Sequence, residues 1–160
     1  MKTEKFPFRS AIISTLVHAT EDERKVLRSL QTLCPGEIKV RRQVLKGHYG
    51  NPITSLSFSI KQRGLLRELW SGIAEKLKKE DMERLSSIAP ERIDEDCRFY
   101  LRFDKQMAYA GLLSLAESGD VVHVRFKVSA FPSKREVALK LVKEFIEETL
   151  KNMEKKREHA

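Results

Sequence analysis

The chain has 160 residues, with 31 Lys plus Arg against 23 Asp plus Glu, for a net charge of +8. At 34% charged and 41% apolar residues it is no low-hydrophobicity disordered chain, and no apolar run approaches the roughly 20 residues of a membrane helix. Cys34 and Cys97 form no CxxC or Cys/His ligand cluster, which excludes a zinc ribbon or finger and fits two reduced, buried thiols.

Residues 1–8 lack the apolar stretch of a signal peptide, so a cytoplasmic location is expected. Residues 9–17 are rich in Ile, Val and Thr and read as a strand. Thr20 then opens a helix through a capping box with Glu23, and Val26, Leu27, Leu30 and Leu33 share its apolar face. Pro35 and Gly36 stop it. Residues 37–45 alternate, with Ile38, Val40 and Val44 on one face and Lys39, Arg41 and Gln43 on the other. Arg42 interrupts the apolar side, which marks a bulge or an edge strand. A loop carrying Gly47, His48, Tyr49, Gly50, Asn51 and Pro52 leads into a strand over 53–61, where Leu56, Phe58 and Ile60 oppose Ser55, Ser57 and Ser59.

A long amphipathic helix over 63–79 follows, with Leu66, Leu69, Trp70, Ile73 and Leu77 inward, then a short helix over 81–88. Residues 97–104 alternate: Cys97, Phe99, Leu101 and Phe103 against Arg98, Tyr100, Arg102 and Asp104. A helical turn at 105–110 and a short extended piece at 112–115 lead to the strand 121–130, where His123, Arg125 and Lys127 oppose Val122, Val124, Phe126 and Val128. Pro132 and Ser133 open the last helix, with Val137, Leu141, Val142, Phe145 and Met153 inward. The whole chain reads as one domain, 1–160, whose charged tail 151–160 is expected to fray.

The order is β-α-β-β-α-β-β-α. Half-apolar strands imply a sheet packed on one side, so the expected fold is a two-layer α+β domain with a mixed or antiparallel sheet. Its uncovered face would collect Lys39, Arg41 and Gln43; Arg98, Tyr100 and Arg102; and His123, Arg125 and Lys127. Such a face can neutralise phosphates and stack an unpaired base. The same pattern also fits a plainly solvated antiparallel face.

Three smaller motifs carry two readings each. His18, Ala19, Thr20, Glu21 and Asp22 suit a helix cap, or a general base with no visible nucleophile or metal partner. His48, Tyr49 and Asn51 suit a hairpin connection, or a base or phosphate contact. Asp104 can cap the following turn, while Lys105 and Gln106 either stay on the surface or meet phosphate there.

Four segments together resemble an archaeal RNA-binding protein family described as predicted exosome subunits: His-Ala-Thr-Glu-Asp at 18–22, Gly-His-Tyr-Gly-Asn-Pro-Ile at 47–53, Leu-Arg-Phe-Asp-Lys-Gln-x-Ala-Tyr-x-Gly at 101–111 and Asp-Val-Val-His-Val-Arg at 120–125. The resemblance spans about residues 10–131. It implies a ribosomal protein L-five-like α+β fold, RNA as partner, and association with the exosome or other RNA-processing proteins. It supplies no catalytic residue. The expectation is a non-enzymatic RNA-binding protein without cofactor or membrane contact, with a protein-interaction module as the alternative. RNA would be held by Lys39, Arg41, His48, Tyr49, Asn51, Arg98, Tyr100, Arg102, Lys105, His123, Arg125 and Lys127.

Overall fold

The computed structural model describes residues 6–47 and 50–158. Five strands form one antiparallel sheet: β1 (Phe8–Val17), β2 (Arg41–Lys46), β3 (Pro52–Ile60), β4 (Arg98–Asp104) and β5 (Val121–Val128). Their spatial order is β2-β3-β1-β5-β4, so the N-terminal strand lies at the centre. Every pairing is antiparallel, which resolves the mixed-or-antiparallel expectation. The helices are α1 (Glu23–Gln31), α2 (Arg63–Lys76), α3 (Lys79–Ile88), α4 (Lys105–Tyr109) and α5 (Arg135–Glu158), with a 3-10 turn at Ala89–Glu91.

The strands alternate as their sequence requires. Ala11, Ile13, Leu56, Phe58, Phe99, Leu101, Val124 and Phe126 are buried together with Leu30, Leu66, Trp70, Ile73, Leu85, Val142 and Ile146 of the helices. Phe8 stacks on Phe126 with ring centroids 4.1 Å apart. The Trp70 indole donates to Thr149 Oγ1 at 3.0 Å and so ties α2 to α5. Because these contacts fall on one side of the sheet, the other side is left uncovered by the described residues.

Several boundaries differ from the sequence reading. The cap of α1 is Asp22, whose carboxylate accepts the Arg24 N–H at 3.0 Å, rather than Thr20. Glu21 instead accepts the His18 N–H at 3.0 Å and closes the preceding turn. Strand β2 begins at Arg41, not residue 37, and it is an edge strand, as the interruption at Arg42 indicates. The Arg42 guanidinium reaches Glu23 of α1 at 3.0 Å. Helix α2 stops at Lys76, since Leu77 turns extended and buries its side chain. In α5 the fully buried positions are Ala138, Val142 and Ile146, with Val137, Leu141, Phe145 and Met153 packed around them. That helix continues through the charged tail to Glu158.

The two sheet edges differ. The outer side of β4 is occupied: Tyr100 N–H donates to Arg92 O at 2.8 Å, and Ala116 N–H to Arg102 O at 2.9 Å. Strand β2 is exposed along its whole length, and Val44 is 57% exposed.

Candidate nucleic-acid interface

Strand register fixes what the uncovered face displays. One row crosses all five strands: Arg41 pairs with Ser57, Ser57 with Ser14, Ser14 with His123, and His123 with Arg102. A second row runs Ser59, Ile12, Arg125, Tyr100. A third runs Ser10, Lys127, Arg98. A fourth runs Gln43, Ser55, Leu16. At about 4.8 Å per strand, the first row extends about 19 Å from Arg41 to Arg102.

The expected site residues therefore divide. Arg41, Arg98, Tyr100, Arg102, His123, Arg125 and Lys127 share the uncovered face. Lys39 is exposed but precedes β2 and lines a groove beside Leu30 and Gln31 of α1. Asn51 is exposed in the β2–β3 connection, where its carbonyl accepts the Gly47 N–H at 2.8 Å. His48 and Tyr49 lie outside the described residues.

Lys105 is absent from this face, against the expectation that it meets phosphate. Its side chain is 2% exposed. The ammonium donates to Glu21 Oε1 at 2.8 Å, Asp120 Oδ1 at 3.0 Å and Leu16 O at 2.9 Å. Docking of α4 on α1 draws it inward: Ser29 and Thr32 hydroxyls donate to the carbonyls of Lys105 and Ala108. Asp104 caps α4 by accepting the Met107 N–H at 2.9 Å. His18, Glu21 and Asp120 bring potential metal-ligand atoms within 4.8 Å of one another. The Lys105 ammonium bridges the two carboxylates and supplies their counter-charge.

Cations on the face are engaged to different degrees. Arg98 lies 3.5 Å from Asp96, and Lys127 donates to the Asp96 carbonyl. Arg102 donates to Glu117 O at 2.7 Å. Arg41 and Arg125 make no ion pair or hydrogen bond among the described residues. The Tyr100 hydroxyl donates to Asp94 Oδ2 at 2.8 Å. This bond, with burial and the Asp94 charge, raises the phenol pKa. Burial alone would raise the Asp94 carboxyl. Bonds from Arg98 N–H, Tyr100 OH and Asp96 N–H, with the Arg98 charge, outweigh it and hold the carboxyl below its ordinary value. His123 is shifted down, first by partial removal from water and then by the Arg102 charge, so its ring is neutral at pH 7.

The centre of the face holds none of the expected site residues. Ser10, Ser14, Ser55, Ser57 and Ser59, with Ile12 and Leu16, fill the strip between the charged margins. The period-two pattern of β1 and β3 carries that signal, but only the strand order shows that the two strands adjoin.

Comparison with known proteins gives a consistent result. A family model described as "RNA binding" matches residues 10–128. The chain is 44% identical over 140 residues to the RNA-binding protein PAB1135 of Pyrococcus abyssi, covering 84% of this chain and 91% of that one. It is 31% identical over 129 residues to the uncharacterized protein MJ0213 of Methanocaldococcus jannaschii, covering 76% and 85%. The solved structure of protein AF2318 from Archaeglobus fulgidus, of family model DUF54, superposes with a TM-score of 0.79 at 34% identity, covering 86% and 98%.

Proposed function

The chain belongs to this RNA-binding family, and from that premise we propose that it binds RNA on the uncovered sheet face, without catalysis. The observation that carries the reading is the convergence of Arg41, Arg98, Arg102, Arg125 and Lys127 on one side of one sheet. Fixed cations on a common surface neutralise phosphates and release their counterions. Arg41 and Arg125 are free to do so without breaking an existing ion pair, because none is present among the described residues. Arg98, Arg102 and Lys127 keep their carbonyl and carboxylate neighbours and add to the field. No serine, threonine or cysteine hydroxyl or thiol among the described residues bonds His18, whose ring nitrogen instead lies 3.4 Å from Asp120.

Photo-cross-linking of uniformly labelled RNA, followed by peptide mapping, tests the placement. Cross-links on peptides of β1, β3, β4 and β5 are expected. Cross-links confined to α2, α3 and α5 would overturn it.

A second reading rests on the bare β2 edge. Its exposed Val44, and an outer backbone that pairs with no strand among the described residues, suit an added strand from a protein partner. An accessory role beside the exosome or other RNA-processing proteins would act through this edge. Co-purification of processing subunits after nuclease treatment, lost in a Val44→Asp variant, tests it. Co-purification abolished by nuclease alone would contradict it.

A further inference from the structure

We propose that this face takes double-helical RNA, held across its wide, shallow groove, in preference to an unpaired strand. The inference rests on the RNA-binding reading above and names the class of RNA.

Two features of the layout lead to it. The first is the placement of charge. Arg41 stands on β2, while Arg102 and Arg98 stand on β4 and Arg125 and Lys127 on β5. The cations thus border β3 and β1 from both sides and do not form a single track. An unpaired strand has one phosphate row, and its binders present one basic groove. A duplex presents two phosphate rows with a groove between them. In A-form RNA that groove is shallow and wide, and it displays 2′-hydroxyls.

The second feature is the chemistry of the strip between the cations. Ser10, Ser14, Ser55, Ser57 and Ser59 have side-chain hydroxyls without a hydrogen-bond partner among the described residues. A serine hydroxyl both donates and accepts, as does a ribose 2′-hydroxyl. Ile12 and Leu16, 38% and 40% exposed, add aliphatic surface of the kind that packs against sugar rings. Among the described residues, no ring that could stack successive unpaired bases stands on this strip. Two rings stand on the face among the described residues, Tyr100 and His123. Both lie on the β4–β5 side, in different rows, and the Tyr100 hydroxyl is tied to Asp94.

The test is fluorescence anisotropy at one salt concentration, with four probes: an RNA duplex, each of its strands alone, and a DNA duplex of the same sequence. The full chain is compared with a Ser14→Ala/Ser57→Ala variant, whose changes lie at half-buried positions on the uncovered face. The RNA duplex is expected to bind about tenfold tighter than either strand or the DNA duplex. The double variant is expected to lose about three- to tenfold on RNA duplex and nothing on DNA duplex. A single strand that binds as tightly as the duplex would overturn the inference while the RNA-binding reading stands. Equal losses on RNA and DNA duplexes would overturn the role given to the hydroxyls. Failure of every RNA probe to bind would instead overturn the RNA-binding reading itself.

Discussion

His123 and Arg102 are direct partners across the β4–β5 ladder, and the guanidinium adds to partial burial in holding the imidazole below its usual pKa. His123 also continues the row that runs through Ser14 and Ser57 to Arg41. The β4–β5 side of the face thus carries a ring that is neutral at pH 7 and gains a charge only in more acidic solution.

RNA affinity should therefore rise on acidification from about pH 7.5 to about pH 5.5, and a His123→Gln variant should show a smaller rise. Stability should move the other way. The folded state holds the proton less readily than the unfolded chain, so the cost sets in as pH falls through the unfolded value of about 6.5 and is complete below the folded one. Binding isotherms and thermal melts of the two proteins over that range check both signs. An identical pH dependence in wild type and variant would contradict the assignment.

Lys105 should prove structural. Its ammonium is buried between Glu21 and Asp120, so Lys105→Met leaves two facing carboxylates without a counter-charge. Both carboxylates keep some solvent contact, which limits the expected loss to about 2–3 kcal/mol. Urea denaturation measures it. RNA affinity per folded molecule should stay within about twofold, since no phosphate contact is removed.

Asp94 should stabilise the approach to β4. Its carboxylate accepts the Arg98 and Asp96 N–H groups, each at 2.9 Å, and the Tyr100 hydroxyl. Asp94→Ala should cost about 1–2 kcal/mol at neutral pH. The folded pKa is lowered, so this stability is present above the unfolded value and is lost as pH falls through the folded one. Denaturation curves of wild type and variant should accordingly converge in acid.

Alternation made most of this architecture legible. The period-two pattern of β3, β4 and β5 placed Ser57, Arg102 and Arg125 opposite Phe58, Phe103 and Phe126, and burial follows that division. Legibility fails where tertiary contacts override local pattern. Leu77 continues the helical apolar stripe in sequence, yet the chain turns there to bury it and to start α3. Lys105 follows a strand of alternating charge and looks like one more surface cation. Its burial depends on Glu21 and Asp120, which lie in the loops just before α1 and β5. The serine strip needs the order β3-β1-β5, which no local signal encodes. The basic composition gains a location in this way, with seven of the twelve expected residues (Arg41, Arg98, Tyr100, Arg102, His123, Arg125 and Lys127) on one face.

On the proposed reading, RNA phosphates lie on the face bordered by Arg41, Arg102 and Arg125. The most direct measurement is the salt dependence of RNA affinity for wild type and an Arg41→Ala/Arg102→Ala/Arg125→Ala variant, with thermal melts to establish that both are folded. The slope of log affinity against log salt should become shallower by about 2–3 in the variant, near one per lost phosphate contact. A folded variant with an unchanged slope and affinity within about twofold of wild type would place the RNA elsewhere on the molecule.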